Sequence, residues 1–193
     1  MESLALLSHL LPAFGPADAK IHLASYNGTD APIDVYLAGN FPDWQRSQTA
    51  RNFQRKYVVS LVELPESHLW LFAGLYKPTS VKKRESGGYL YDLDEIAACK
   101  ELNGRLIVHF KRPGRQSYLK AERWAQQMLV HEIRQSAMTI RSFPGYRNVD
   151  ISFQELRHLA KEEPPSWISA LSNIAGVYLL SDLKLGKLYV GSA

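Results

Sequence analysis

The sequence predicts an α+β protein built on a curved or barrel-like, mainly antiparallel β-sheet with flanking helices. Three observations predict it. Short stretches of alternating apolar and polar residues crowd positions 20 to 110. Turn signals (Asn-Gly, Pro-Glu-Ser, Pro-Gly) separate those stretches at close spacing. A three- and four-residue period takes over after position 117. Many short strands with few helices close into a curved sheet or barrel and leave the helices at its flanks.

Each element follows from local pattern. "MESLALLSHLLPAFG" reads as a short amphipathic helix, because Glu2 stands where a secretory signal carries basic charge. "KIHLASYNG" alternates Ile21 and Leu23 with His22 and stops at Asn27-Gly28, a strand and its turn. "PIDVYLAGN" reads as a second strand. "KYVVSLVELPES" and "HLWLFAGLYKP" are two more, "GGYLYDL" a short strand or a loop edge, "EIAACKEL" a helix, and "GRLIVHFKRPG" a strand that runs into Pro-Gly. From Ser117 to Gln135, the residues Ala121, Trp124, Met128, Leu129 and Ile133 share one helical face. "NVDISF" returns to strand alternation. "QELRHLAKEE" reads as a helix stopped by Pro164 and Pro165, and "SWISALSN" as a helix with Ser166 as its N-cap. The proline pair marks the boundary between a region 1–165 and a second region 166–193.

Composition narrows the function classes. A hydrophobic fraction of 46% supports a packed core. No apolar run approaches the roughly 20 residues of a membrane-spanning helix. The single cysteine, Cys99, excludes an internal disulfide and a cysteine-rich zinc site within one chain. With no export signal, a reducing cytoplasm is the expected compartment. None of the six histidines has a second histidine at HxxxH spacing, and Walker, GxGxxG and GxSxG motifs are missing. Nucleotide hydrolysis, dinucleotide redox chemistry and serine hydrolysis therefore lack support.

Positive charge is modest overall, at +4, but it is clustered. Residues 105 to 123 hold six basic residues and one acid. Within "FKRPGRQSY", Lys111, Arg112, Arg115 and Gln116 gather at a Pro-Gly turn. "FPDWQRSQTARNFQRK" carries Arg46, Arg51 and Arg55 between Trp44, Gln45, Asn52 and Phe53. "VKKRESGGY" carries Lys82, Lys83 and Arg84 beside Gly-Gly. Lys and Arg grip phosphates without reading sequence, while amides and aromatic rings read or stack on bases. Taken singly, each cluster is better read as a solvated face; taken together, they point to DNA as a partner. Arg147 and Asn148 in "FPGYRNVDISF" lie beside Phe143 and Tyr146, and there a packed corner is the better reading. In "HLWLFAGLY", even spacing puts Trp70, Phe72 and Tyr76 on one face of a strand. That face is core, or the wall of a base pocket of the kind found in PUA-like readers of modified bases, a barrel compatible with the strand count.

The last 18 residues, "GVYLLSDLKLGKLYVGSA", read as strand, polar turn and strand. "GVY" at 176–178 and "YVG" at 189–191 resemble the two tripeptides that define the GIY-YIG nucleases, with valine for isoleucine in each. Ten residues separate them, which suits that family. The resemblance implies metal-dependent phosphodiester hydrolysis, with Tyr178 near the attacking water and Tyr189 helping to hold the site. Magnesium or another divalent ion is the cofactor it implies for a full nuclease, where the ion's field acidifies water. The family's arginine and metal-binding glutamate would follow Ala193, so no metal ligand is expected here. The expectation is the DNA-recognition region of a bacterial GIY-YIG restriction or defence endonuclease, cut short in its nuclease domain. It binds DNA and does not cleave it. The alternative is a binding-only RNA or protein-interaction module.

Overall fold

A computed structural model describes residues 15–138, 143–151, 156, 159, 160, 163–172 and 174–192. The chain falls into two compact units, Met1–Thr139 and Ile140–Ala193.

The first unit is a curled, half-barrel mixed sheet with a few short helices. Its strands are β1 (Ala19–Ala24), β2 (Ser47–Gln48), β3 (Tyr57–Glu63), β4 (Leu69–Lys83), β5 (Tyr89–Glu95), β6 (Leu106–His109), β7 (Tyr118–Lys120) and β8 (Leu129–Ile133). The main path runs β2-β5-β4-β3-β1-β7, and β6 joins β4 to β8. Only β1 and β3 pair in parallel among these strands, from Ala19 opposite Tyr57 to Ala24 opposite Val62. Strand β4 is the spine. Its first half lies between β3 and β6, and its second half, from Tyr76 to Lys83, pairs with β5 as a ribbon whose outer end is joined by β2.

Both faces of the sheet are covered. One face packs Ile21, Leu23, Leu61, Phe72, Leu106 and Met128 into the main core. The other carries Val62, Leu71 and Ala73 against Phe41 and the partly buried Tyr36 and Trp44. These come from α1 (Pro32–Leu37) and α2 (Phe41–Arg46). The apolar runs of β3 and β4 are continuous rather than alternating for this reason.

Several expectations give way to other physics. "PIDVYLAGN" forms helix α1, not a strand. Pro32 pre-sets the first helical turn, and Gly39, at φ +72°, lets the chain turn out after it. "EIAACKEL" forms a 3-10 turn over Ala97–Leu102, with Cys99 buried and its thiol held neutral by desolvation. The helix expected over 117–135 does not form as one element. Tyr118–Lys120 adds to the edge of β1, and Leu129–Ile133 adds to β6. Between them only a helical turn, α3 (Ala121–Trp124), and a 3-10 turn remain. The spacing that suggested a helix holds from Ala121 to Met128, both buried, and there two unpaired sheet edges outweigh it. The "HLWLFAGLYKP" strand continues past Pro78, because the lost donor there falls on a strand with a single neighbour.

In the second unit Phe143 sits edge-on to Tyr146 at 4.9 Å and to Trp167 at 5.1 Å. Tyr146 donates to the Ala170 carbonyl, so "FPGYR" is a packed corner. Helix α4 (Pro165–Leu171) begins on Pro165 with Pro164 as N-cap, and Ser166 instead accepts from the Phe143 amide. Residues 149–151 of "NVDISF" are not in a strand; its remainder and most of "QELRHLAKEE" lie outside the described residues. Strands β9 (Val177–Ser181) and β10 (Leu188–Ser192) form an antiparallel hairpin. Asp182 closes its turn by accepting from the Lys184 and Leu185 amides, and Gly186 supplies a positive φ of 66°.

Candidate nucleic-acid interface

Two of the three basic clusters meet at the outer end of the β4–β5 ribbon. Lys83 pairs with Tyr89 and Lys82 with Leu90, and β2 then lays Gln48 beside Tyr89. The chain leaves β2 directly into Arg51, whose guanidinium lies 5.9 Å from the centre of the Tyr89 ring. Arg84 donates to the Ser47 hydroxyl at 3.2 Å. Gly88 makes this junction: at φ +80° it takes a conformation other residues resist, and a Cβ there would meet the Gln48 carbonyl at 2.6 Å. Lys82, Lys83, Arg84 and Arg51 are exposed, and none forms an ion pair among the described residues.

The loop that presents Arg51 is anchored from beneath. Asn52 donates to Gln48 Oε1 at 2.8 Å, Tyr118 donates to the same oxygen, and Gln48 Nε2 donates to the Gln45 carbonyl. Gln45 is fully buried; its Oε1 accepts from Ser60 at 2.7 Å and faces His22 Nδ1 at 3.4 Å. Gln45 Nε2 lies near the Tyr76 hydroxyl without an aligned partner. The His22 ring stacks on Tyr118 at 5.1 Å and meets Phe53 edge-on at 5.4 Å. Burial away from any carboxylate lowers its pKa from 6.5 to about 4, so the ring is neutral at ordinary pH. The Gln48 and Gln45 bonds tie this loop to β3 and β7 and so fix the geometry above them.

Arg46 and Arg55 are engaged in the protein. Arg46 donates to the Tyr91 carbonyl at 2.8 Å and to Asp92 at 2.5 Å. The Ser80 hydroxyl and this guanidinium hold the Asp92 carboxyl below its usual range. Arg55 pairs with Glu122 at 2.8 Å and also bonds the Ala17 carbonyl. The third cluster lies elsewhere. Arg112 donates to the Ser25 hydroxyl and rests 5.9 Å over Trp70. Lys111, Arg115 and Gln116 project around the Gly114 turn. Trp70 is at the opposite end of β4 from Lys83, roughly 40 Å along the strand.

Trp70, Phe72 and Tyr76 do not share a face. The β3–β4 register shifts between Ser60 and Leu61, and Gly74 on β4 takes φ +136°. This bulge inverts side-chain parity. Trp70 and Phe72 join the main core with Leu75, while Tyr76 packs on the other side with Phe53, Val58 and Tyr91. All three are at most 3% exposed, and Trp70 donates to the Phe110 carbonyl. As a wall of three rings on one side of a strand, that pocket does not exist.

In the hairpin, Tyr178 is opposite Gly191 and Tyr189 is opposite Leu180, so the two tyrosines sit diagonally on one face. Their ring centres are 6.3 Å apart. The hydroxyl end of the Tyr178 ring lies over Gly191, where a Cβ would come within 2.4 Å of it. The glycine of "YVG" thus leaves the space that the tyrosine ring of "GVY" occupies. Among the described residues no three His, Cys, Asp or Glu side chains converge as a metal site. No helix among them is long and apolar enough to cross a membrane.

Sequence reading singled out the basic side chains but missed Tyr36, Glu95 and Asn103, which line a cleft beside Tyr76. The available signal was Pro32 followed by Gly39, a helix start and stop that would have put Tyr36 on a helix. Comparison of the chain with protein-family models, curated proteins and solved structures found no match.

Proposed function

We propose that the first unit is a DNA-binding module that grips the phosphate backbone with the β4–β5 ribbon, in a bacterial GIY-YIG endonuclease of restriction or defence. The observation that carries the DNA reading is the convergence of Arg51, Lys82, Lys83 and Arg84 around Tyr89, exposed and without ion-pair partners among the described residues. Cations held on a rigid ribbon beside an aromatic ring suit phosphate contact, with stacking available at the edge. The Tyr178–Gly191–Tyr189 arrangement supports the nuclease kinship, because it gives the two tripeptides a common physical purpose. The module binds without cutting, in a reducing cytoplasm, and the full nuclease uses a divalent ion.

Fluorescence anisotropy with short labelled duplexes tests this. The panel holds unmodified, 5-methylcytosine, 5-hydroxymethylcytosine and glucosylated DNA, a single strand and an RNA duplex. Affinity for DNA is expected to fall steeply with salt. Replacing Arg51, Lys82, Lys83 and Arg84 together by glutamine lowers the log–log slope by about 3 to 4, near 0.9 per phosphate contact. No binding to any duplex at low salt would overturn the reading. Specific magnesium-dependent cleavage by the purified chain would overturn the claim that it only binds.

A further inference from the structure

The register of the short strand β7 against β1 sets two lysines face to face. Lys20 lies directly opposite Lys120, two residues along from His22 opposite Tyr118. Residues directly opposite share a face of the sheet with Cβ atoms roughly 4.5–5.5 Å apart, and like charges placed so are destabilising. Lys120 is exposed and Lys20 half-buried. Neither forms an ion pair among the described residues.

The surroundings do not neutralise the pair. Burial lowers the Lys20 pKa most, Lys120 and Arg55 lower it further, and Glu122 opposes them. Glu122 is itself paired with Arg55 at 2.8 Å. Asp18, two residues before Lys20, turns back on Gly15, where an added Cβ would lie 4.0 Å from its Oδ2. Positive charge is therefore in excess here, at a place where the strand register opposes it.

The pair also adjoins the support of the ribbon. The sheet curls until the end strands of its main path meet, with Tyr118 of β7 donating to Gln48 of β2. Gln48 lies opposite Tyr89, whose ring centre is 5.9 Å from the Arg51 guanidinium. Lys120 is two residues past Tyr118 on the same face, roughly 7 Å along the strand. The lysines belong to the β1–β7 side of this seam, and the Arg51–Tyr89 contact to the β2–β5 side.

We propose that Lys20 and Lys120 bind one phosphate group between their ammonium ends, as an anchor additional to the ribbon. A phosphate accepts from both ammonium groups and removes the repulsion that the register builds in. Lysine suits the task as a mobile point charge that needs no fixed fork. The phosphate comes from a DNA backbone or from free phosphate. The first source rests on the DNA-binding reading above and carries the contact from the ribbon across the Gln48–Tyr118 seam.

The test has two arms. In the first, inorganic phosphate is titrated against chloride at constant ionic strength into the isotopically labelled full chain, and the Lys20 and Lys120 Cε resonances are followed by NMR. Both should move together and saturate, and Lys120→Gln should abolish the Lys20 shift. In the second, anisotropy of a labelled duplex is measured across a salt series. The double variant Lys20→Gln, Lys120→Gln should lower the log–log slope by about 0.9, one phosphate contact. Denaturant midpoints guard against a merely structural role: Lys120→Gln, at an exposed site, should match or exceed the wild type, because a facing charge is gone. A lowered slope identifies DNA as the source. A phosphate response with an unchanged slope, or with no duplex binding at all, assigns the site to free phosphate, and the latter also overturns the DNA-binding reading. Duplex binding with an unchanged slope and no phosphate response overturns the site and leaves the ribbon standing. Silence in both arms overturns both.

Discussion

Protonation of His22 provides a direct measure of the buried network beneath the ribbon. The ring is 2% exposed and lies among Tyr118, Phe53, Phe41 and Trp44, with Gln45 Oε1 as its polar neighbour. Its pKa falls from 6.5 in the unfolded chain to about 4 in the fold. Between those values the unfolded state takes the proton first, so stability is complete above pH 7 and is lost as pH falls. Linkage gives a loss of about 2 kcal/mol at pH 5 and about 3 kcal/mol at pH 4. These are large fractions of the 5–15 kcal/mol that typical domains possess. Urea unfolding of the wild type and of His22→Gln, followed by tryptophan fluorescence at intervals from pH 7.5 to 4.5, isolates the effect. Asp92 and Glu122 also have lowered pKa values, but they act in both proteins and cancel in the difference. The wild-type midpoint should fall by about 1 M urea more than the variant's between pH 7.5 and 5. Parallel midpoint curves, or a His22 resonance that titrates near pH 6.5, would refute the reasoning.

Other expectations follow from geometry already described. Arg46→Ala should lower stability by about 1 kcal/mol, since the Tyr91 carbonyl and Asp92 lose their shared donor at a partly exposed site; denaturant melts of the variant read this. Gly74→Ala should cost more, about 2–3 kcal/mol, because the residue sits at φ +136° and a Cβ would lie 2.7 Å from the Tyr76 ring. An unchanged melting curve would show that the bulge is not fixed as described. In the hairpin, ring-current shielding should move the Gly191 α-proton resonances upfield, and Tyr178→Ala should return them to ordinary values. Gly191→Ala should separate the two tyrosine rings, seen as loss of cross-peaks between them.

The strands were legible wherever local pattern and local cause coincide. Tyr57–Glu63 is bounded by polar residues and a Pro-Glu turn, and Leu106–His109 runs from Gly104-Arg105 to the Pro-Gly turn, so a strand was readable in both places. Where the cause is distant, pattern misled. Nothing within "SYLKAERWAQQM" announces that Leu119 lies opposite Ile21, yet that pairing decides the conformation. Gly74 was visible in the sequence, but one glycine in a strand does not say that parity inverts there and separates Tyr76 from Phe72. The site behaves alike. The charges of Arg51 and Lys83 were evident, while their meeting depends on β2 pairing with β5 across Gly88. Arg46 and Arg55 looked equivalent to Arg51, and only the positions of Asp92 and Glu122 show that they are spent internally.

The parallel pairing of β1 with β3 bears on how the chain is made. β1 is bordered on one side by β3 and on the other by β7, which ends at Lys120. A ribosome that has just completed Glu63 has supplied one border and must add the residues through Lys120 before the other exists. At roughly 5–20 residues per second, the nascent β1 presents a bare row of amides and carbonyls for about 3–11 s. During that interval Ile21 and Leu23 face whatever meets the emerging polypeptide first. Synthesis speed across codons 64 to 120 thus sets how long that edge stays bare, and the short Tyr118–Lys120 segment is the stitch that closes it.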